Sequence, residues 1–526
     1  MLLRIAGADE SGDQLHPEGV VASMTEREAQ QPLRMVRGVL PVVGSVLAIS
    51  VSSFFTVASA QDSAATVAPS AAKAAVISSV DRHRPELVSL SDQIWAFAEI
   101  ALREHRSAKL LADYAEKQGF RVERGIAGMP TAFLASYGNG RPVIGIMGEY
   151  DALPGLSQKA QPSKEPLVAG AGGHGCGHNM FGAASLGAAL AIREQIQSGA
   201  LKGTIRFYGT PAEEDIGGKT YMARDGVFND VDVMLTWHPG DETQADTDSS
   251  QAMVDLAIEF HGRAAHAAND PWNGRSAVDA LEVFTHGVNL MREHIKPTSR
   301  LHYTIANGGD VPNVVPEYAK VWLWARDWER AEVERLLARI RKLAEGAAIM
   351  TETTSTVRVQ AGSWEVLPNL AGARLLDANL RWLGPVSYSA EEQAFARAIQ
   401  RATGVPETGM DTGIQPLENQ EQEGGSTDVG DVSWVVPTLT LTVATSPAEA
   451  PWHAWPVVAT GGMSIGHKGL TRAAKVLAAT MVDLYERPDA LAAVRADFEA
   501  GRGDVVFKAY LPDGPPPVPK DGDSAR

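Results

Sequence analysis

The sequence predicts an α/β protein in which a mixed, mostly parallel sheet is interrupted by a smaller α+β unit. Apolar, strand-like segments at 141–150, 203–211 and 232–238 alternate with a helical pattern over 179–198, which is typical of such a sheet. Between residues 252 and 361 the pattern changes to the order β-α-β-β-α-β of a ferredoxin-like unit. The length of 526 residues also exceeds one ordinary domain.

These patterns divide the chain into five segments. We expect a catalytic domain in two parts, at 61–251 and 362–488, with the ferredoxin-like unit at 252–361 inserted between them. Residues 1–60 are predicted to be a leader. Residues 489–526 are predicted to be a C-terminal tail that ends in a Pro-rich, polar and disordered stretch.

The leader resembles an export signal. Basic residues precede an apolar stretch that ends in Ala58-Ser59-Ala60, a typical signal-peptidase site. We therefore predict a signal peptide at 35–60 and a mature protein that is periplasmic or secreted. The apolar stretch 38–57 is also long enough for a membrane anchor, although its Ser and Gly content favours cleavage. The polar residues upstream indicate that translation begins at Met24 or Met35 instead.

Composition excludes some classes of partner. The chain has 47 basic and 64 acidic residues, a formal net charge of -17, which would repel a nucleic-acid backbone. Nucleic acid is therefore not expected as a partner. A single cysteine rules out an internal disulfide.

That cysteine lies in the strongest motif of the chain, GGHGCGH at 172–178. Cys176 is two residues from both His174 and His178 on a glycine-rich loop. A thiolate and imidazoles at this spacing suit a borderline-soft divalent metal. The alternative is a small buried cysteine beside a turn.

The same loop also spells G-x-G-x-x-G through Gly170, Gly172 and Gly175, the pattern of dinucleotide-binding loops. Such a loop should directly follow a strand. Here it follows the Pro- and Lys-containing segment 156–168. This context does not favour nucleotide binding.

Further candidate ligands lie at predicted strand ends. In TPAEED, Glu213 and Glu214 end an apolar strand and point in opposite directions, so one carboxylate can bind metal while the other reaches a water. His238 ends the strand LTWH, and His453 lies in APWHAWP. A lone histidine is more often structural than a ligand, and an acidic pair more often lies on a solvated surface. These residues indicate a metal site only when they are considered together.

The motifs GEYDALPG, HGCGHN, GTPAEE, TWHPG, GRAAHAA, PNVVPE, GSTDVGDVS and PWHAW follow one another between about residues 80 and 485. In this order they resemble the dinuclear aminoacylase/carboxypeptidase superfamily of metallopeptidases, and most of all its p-aminobenzoyl-glutamate hydrolase B-subunit group, which is related to the indole-acetyl-amino-acid hydrolases. The resemblance implies a zinc-aminopeptidase-like catalytic domain with an inserted lid that also dimerises. By position in the motifs, it implies these metal ligands: Cys176, His178, Glu214, His238 and His453.

The resemblance also implies the other roles. Glu213 would be the general base. Asp151 would orient a ligand imidazole. His266 would project from the lid, often across a dimer, to polarise the scissile carbonyl. Asn313 and Arg326 would bind the substrate carboxylate.

The chain departs from the superfamily at one position. Many members carry His-x-Asp where this sequence has Glu149-Tyr150-Asp151. The subgroup with a Cys-x-His motif, which corresponds to Cys176 and His178 here, relies on that pair as metal ligands instead. Whether Glu149 also touches a metal stays open.

We therefore expect an amidohydrolase with two divalent ions, Zn²⁺ by ligand type or Mn²⁺. These ions would lower the pKa of a bridging water to about 7, and Glu213 would accept and pass on its proton. The net positive centre favours an anionic substrate: an N-acyl or N-aroyl amino acid, such as an aminobenzoyl-glutamate-like compound, a dipeptide or a toxin amide. A homodimer or higher homo-oligomer would form through the lid. The alternatives are a non-catalytic metal-binding carrier and a scaffold that retains the fold.

Overall fold

The structure is a computed structural model that describes residues 70–417 and 424–519. Within these ranges the helices are α1 (Ala71–Phe97), α2 (His105–Lys117), α3 (His178–Gln197), α4 (Gly218–Arg224), α5 (Ala277–Met291), α6 (Arg330–Thr351), α7 (Leu370–Leu383), α8 (Ala390–Thr403), α9 (Val429–Ser433), α10 (Trp455–Gly461), α11 (Ser464–Glu486) and α12 (Pro488–Arg502). The strands are β1 (Arg121–Arg124), β2 (Phe133–Asn139), β3 (Val143–Gly148), β4 (Gly203–Gly209), β5 (Val233–Leu235), β6 (His238–Gly240), β7 (Gln244–Ala245), β8 (Ala252–His261), β9 (Arg300–Asn307), β10 (Tyr318–Asp327), β11 (Thr354–Ser363), β12 (Thr438–Leu439) and β13 (Leu441–Ala444).

The main sheet has six strands in the order β1-β2-β4-β3-β5-β12. Strands β4, β3, β5 and β12 are parallel, whereas β2 and β1 add antiparallel strands at one side. Helix α3 is buried along nearly its whole length against α1 and α11. Its Ala and Gly residues let these neighbours approach closely: a Cβ at Gly187 would lie 2.5 Å from Leu87 Cδ1. The predicted α/β class with a mixed, mostly parallel sheet is confirmed.

A second sheet has the strand order β11-β8-β10-β9, and all its pairings are antiparallel. Helices α5 and α6 pack together and cover it with a separate apolar core. The elements follow one another as β8-α5-β9-β10-α6-β11, the order that the sequence predicts. That this unit is a domain with the bounds given above, and that it serves as a lid and dimerises, stay predictions.

A small third sheet pairs β13 with β6 and β7. Thr442 of β13 lies opposite His238, the first residue of β6. The segment 232–238, predicted as one strand, is therefore divided between two sheets, since β5 ends at Leu235. The pairing with β13 fixes the backbone at His238.

The C-terminal segment is more ordered than its composition predicts. Residues 488–502 form α12, and the segment up to residue 519 packs on the protein without regular secondary structure. The Phe507 ring centroid lies 5.1 Å from that of Trp364, and Trp364 Nε1 donates to the Lys508 carbonyl at 3.0 Å. Within the Pro-rich stretch, the Gly514 carbonyl accepts from Arg224 Nη1 at 2.8 Å, and Val518 packs against an apolar cluster of the main sheet. Up to residue 519 the predicted disorder is therefore wrong, because these contacts fix the stretch on the protein.

The predicted leader at 1–60, with its signal peptide at 35–60, lies outside the described residues. Among the helices that the structure describes, none is long and apolar enough to cross a membrane.

Candidate functional site

The candidate site lies where β3 and β4 end. Glu149 and Asp151 follow β3, and residues 210–215 follow β4, its parallel neighbour. His178 is the first residue of α3. Parallel strands bring their carboxyl ends to one edge of a sheet, which is where ligands bind in such folds.

The glycine-rich loop before α3 is shaped by close approach. A Cβ at Gly173 would lie 2.2 Å from the Leu156 carbonyl oxygen, so no other residue fits there without a shift. Gly177 has a φ of +74°, in the left-handed region that favours glycine. These glycines allow the loop to turn Cys176 and His178 toward the same cavity.

Two imidazoles of the site are fixed by hydrogen bonds on one nitrogen each. His178 Nδ1 lies 2.9 Å from Asp151 Oδ1, and His238 Nδ1 lies 2.7 Å from the Pro239 carbonyl oxygen. With Nδ1 as the donor, Nε2 of the neutral His238 ring carries a lone pair, and Nε2 of His178 carries one once its proton has left. His238 Nε2 is 3.3 Å from Cys176 Sγ.

Glu214 and His453 complete this side of the cavity. Asp151 Oδ2 accepts from the Glu214 backbone N–H at 2.9 Å, so Asp151 orients two elements of the site at once. His453 Nε2 lies 3.5 Å from Glu214 Oε2. The His453 backbone has a φ of 51°, and its N–H donates to the Gly175 carbonyl at 3.1 Å, which ties it to the cysteine loop.

His174, the other imidazole of the loop, faces away from this cavity. Its Nε2 lies 3.0 Å from the Ile94 carbonyl oxygen. Burial lowers the pKa of His174 to about 4. This side chain is a neutral structural residue.

A buried ion-pair network lies on the other side. Lys219 Nζ is 2.7 Å from Glu149 Oε1 and 2.5 Å from Asp428 Oδ1, and all three side chains are at most 2% exposed. Burial alone would raise the pKa of Glu149, but the charges of Lys219 and His178 outweigh it and lower this pKa to about 2. Glu149 is therefore a permanent anion in the site.

Glu213 lies beside this network. Desolvation and the charges of Glu149 and Glu214 raise its pKa well above the usual range. Burial opposes a charge on His178, yet Glu149 and Asp151 raise its pKa well above normal. Carboxylates gathered in this way create a negative potential that a cation relieves.

Glu104 supports the loop from behind. Its fully buried carboxylate accepts the Ala212 backbone N–H at 2.9 Å. Ala212 has a φ of 60°, a left-handed conformation that costs an alanine roughly 1–2 kcal/mol. Burial and the charge of Asp151 raise the pKa of Glu104 to about 8. This contact holds the turn that directs Glu213 and Glu214 into the site.

The donor set fits divalent metal ions. Several buried polar atoms have no hydrogen-bond partner among the described residues, and three of them lie in the site: His178 Nε2, Glu149 Oε2 and Glu214 Oε1. The first two form an ion pair at 3.0 Å, so a cation that binds there would replace the His178 proton. Three groups of donors have ligand atoms within 4.8 Å of one another: Cys176, His178 and His238; Cys176, Glu214 and His453; and Glu149, His178 and Glu213. Since the groups share members, they form one continuous cluster.

The structure thus places the six predicted residues Cys176, His178, Glu213, Glu214, His238 and His453 in one cluster, with Asp151 behind it. Three others lie on the second sheet unit. His266 and Asn313 are exposed neighbours, since the Ala267 N–H donates to the Asn313 carbonyl at 3.0 Å. The Arg326 guanidinium stacks on Trp324 at 4.9 Å. Within the described chain, none of the three has a hydrogen bond or ion pair to the cluster.

Sequence reasoning missed Lys219, Glu104 and the role of Asp428. Lys219 lies in an ordinary Gly-rich stretch, IGGKTYMA, and Glu104 precedes a polar helix. The only local signal is that Lys219 lies next to an apolar helical segment. The importance of all three residues comes from partners that are distant in the chain.

Comparisons with known proteins agree with this geometry. The family model described as peptidase family M20/M25/M40 matches residues 145–414. The B-subunit of p-aminobenzoyl-glutamate hydrolase from Escherichia coli is 39% identical, over 77% of this chain and 90% of its own. A human Xaa-Arg dipeptidase is 29% identical, over 80% of this chain and 90% of its own.

Among solved structures, a dinuclear metal-binding peptidase of the M20 family from Bacillus subtilis has a TM-score of 0.53 at 18% identity, and the match covers 77% of this chain and 99% of its own. That likeness shows the fold. The segment matched by the family model contains the glycine-rich loop, Glu213, Glu214 and His238. The chain is a hydrolase that acts on amide bonds, and it belongs to peptidase family M20/M25/M40.

Proposed function

We propose that the protein hydrolyses the amide bond of an N-acyl or N-aroyl amino acid that has a free carboxylate. The observation that carries this proposal is the single cluster of Cys176, three imidazoles and Glu214, with Glu213 next to it. The E. coli relative is named for an aminobenzoyl-glutamate substrate and the human relative for an Xaa-Arg dipeptide. Both names describe an amide bond to an amino acid, and both support this substrate class.

Two divalent ions, Zn²⁺ or Mn²⁺, would be held by Cys176, His178, Glu214, His238 and His453. When bound, they supply Lewis acidity and lower the pKa of water. A thiolate and imidazoles favour Zn²⁺, whereas the carboxylates also suit Mn²⁺. Asp151 keeps His178 in the tautomer that presents Nε2.

Glu213 is proposed to move the proton. Its carboxylate lies within 4.8 Å of donor atoms of Glu149 and His178, next to the place where a water would attack. It would accept the proton of that water and deliver it to the nitrogen of the leaving amine.

His266 is proposed to polarise the scissile carbonyl. Its Nδ1 accepts the backbone N–H groups of Ala268 and Asn269 at 3.2 and 3.1 Å. The proton is therefore on Nε2, which makes this exposed ring a donor. Since His266 does not contact the cluster of its own chain, we propose that it serves the site of a partner subunit in a homodimer.

Arg326 and Asn313 are proposed to bind the substrate carboxylate. Arg326 forms no ion pair with any described acid, so its guanidinium is available for an anion. Stacking on Trp324 holds it in place, and a guanidinium binds a carboxylate through two parallel hydrogen bonds. Export to the periplasm or medium remains part of the proposal.

The proposal is tested with a panel of N-aroyl and N-acyl amino acids and dipeptides. Free amino acid is measured with untreated protein, with protein treated with chelator, and with treated protein given Zn²⁺ or Mn²⁺. We expect chelation to abolish cleavage of at least one panel member and metal to restore it. A protein that binds two metal ions and cleaves no member would instead support the metal-binding carrier.

A further inference from the structure

Glu149 has an unusual environment for a residue outside the five predicted ligands. Its side chain is 1% exposed, and Oε1 pairs with Lys219 Nζ at 2.7 Å. The other oxygen, Oε2, forms a single ion pair among the described residues, with the His178 imidazole, whose Nε2 is 3.0 Å away. Burial of an anionic oxygen is costly, so this side of the carboxylate needs a positive charge, from a protonated His178 or from a bound cation.

That oxygen points at a metal-binding nitrogen. Glu149 Oε2 and His178 Nε2 are 3.0 Å apart and form an ion pair in the metal-free protein. Two donors that each lie about 2.1 Å from one ion, at about 90–110° to each other, are about 3.0–3.4 Å apart. The observed separation, which is that of an ion pair in the metal-free protein, also fits two ligands of one ion that replaces the His178 proton.

Lys219 explains why only one oxygen is available. Its amine occupies Oε1 and so leaves Oε2 free toward the cavity. Asp428 holds Lys219 at both ends of the residue, since Oδ2 accepts the Lys219 backbone N–H at 2.7 Å and Oδ1 lies 2.5 Å from Nζ. Two donors to one carboxylate fix the lysine before any metal binds.

We propose that Glu149 is a sixth protein ligand of the metal centre, through Oε2, and that Lys219 is a positioning residue that keeps this carboxylate monodentate. The inference rests on the proposed metal-dependent function. It gives the centre one carboxylate-rich end, with Glu149 and His178, and one thiolate end, with Cys176 and His238.

The first test is metal binding by Glu149→Gln without substrate. Stoichiometry and dissociation constants for Zn²⁺ and Mn²⁺ are measured by chelator competition and elemental analysis. We expect one of the two ions to bind at least about 10- to 100-fold more weakly, the loss that even indirect partners of a metal site cause. Unchanged affinities for both ions would overturn the inference.

Glu392→Gln is the matched control for that variant. Glu392 is also a buried glutamate that pairs with a lysine, Lys468, but it lies at the start of α8 and belongs to none of the donor groups. We expect this variant to keep both metal affinities. Thermal unfolding of the metal-free proteins shows whether each variant folds.

A second measurement does not depend on the folding of a variant. In crystals of the wild-type protein loaded with Mn²⁺ or Zn²⁺, anomalous scattering locates the ions. We expect Glu149 Oε2 at about 2.0–2.2 Å from one ion. An oxygen that lies more than about 3 Å from both ions overturns the inference.

The two proposals fail in different ways. A wild-type protein that binds no divalent ion contradicts the proposed function as well. A wild-type protein that binds two ions and cleaves amides, but in which Glu149 contacts neither ion, contradicts only the sixth ligand.

Discussion

At the level of single residues, the site depends on which nitrogen of each imidazole is hydrogen-bonded to the protein. Nδ1 of His178 is hydrogen-bonded to Asp151, and Nδ1 of His238 to the Pro239 carbonyl oxygen. Burial lowers the pKa of His238 to about 4, so this ring is neutral at physiological pH. Nε2 of His238 therefore carries a lone pair, whereas His178, whose pKa Glu149 and Asp151 raise, must lose its Nε2 proton when a metal ion binds.

Glu213→Gln tests the proton-transfer role. The amide keeps the shape of the side chain but cannot accept a proton, so we expect turnover to fall by about 10²–10⁴-fold while metal content stays the same. Initial rates and elemental analysis check this. Asp215→Asn, two positions along the loop and exposed, is the charge-matched control and should retain turnover. Equal turnover of Glu213→Gln and wild type would remove Glu213 from the mechanism.

Cys176→Ala tests the thiolate ligand. Its removal should lower the bound metal content, which elemental analysis reports directly. Burial raises the pKa of the Cys176 thiol, so in the metal-free protein it is held as a neutral thiol, and a bound metal ion would displace its proton. A variant that binds as much metal as wild type would show that Cys176 is not a ligand.

At the level of elements, the geometry of the site depends on the turns that follow the strands. Strand β4 ends at Gly209, and the chain then turns sharply at Ala212, whose left-handed backbone is held by Glu104. The cost of this conformation is offset only while that hydrogen bond exists. The direction of Glu213 and Glu214 therefore depends on a residue more than 100 positions earlier.

Glu104→Ala and Glu104→Gln separate this effect from charge. We expect Glu104→Ala to lose about 1–3 kcal/mol of unfolding free energy, since the buried Ala212 N–H loses its acceptor. Its kcat should fall more than its KM changes, because the loop that carries Glu213 is no longer fixed. Glu104→Gln keeps an acceptor oxygen and should retain most of the stability. Denaturant unfolding and steady-state kinetics measure both; equal loss in the two variants would contradict the hydrogen-bond explanation.

At the level of the whole molecule, the C-terminal segment connects parts of the structure that are far apart in sequence. Trp364 follows β11, and its ring contacts Phe507 and Tyr510. The Arg330 guanidinium lies over the same ring, 4.4 Å from its centroid. Tyr510 packs against the core of the second sheet unit, and Phe507 against an apolar cluster of the main sheet. The segment therefore stabilises both units.

Phe507→Ala tests this packing. We expect a loss of about 2 kcal/mol of unfolding free energy, from the apolar contacts with Trp364. Val506→Ala is the matched control, because Val506 is 85% exposed and its truncation should change stability by less than about 0.5 kcal/mol. Thermal unfolding measures both. Two variants of equal stability would show that the segment only rests on the surface.

The sequence by itself determined the elements and most of the candidate ligands. Strands β3 and β4 and helix α3 follow from apolar patterns, because burial of a strand or a helix face leaves a period in the sequence. Cys176, His178 and Glu214 lie beside glycines or at strand ends, where the local motif already indicates chemistry. The sequence predicts a mixed sheet, but no local pattern shows that β1 and β2 are its antiparallel strands.

The tertiary structure decided which charges meet. Lys219 and Asp428 are 209 positions apart, yet together they hold Glu149 in the site. No period or motif encodes such a pair, because a buried charge is tolerated only by partners that the fold brings to it. For the same reason the order of the Pro-rich segment up to residue 519 was not predictable: its few apolar side chains find grooves that exist only after the two sheets have formed.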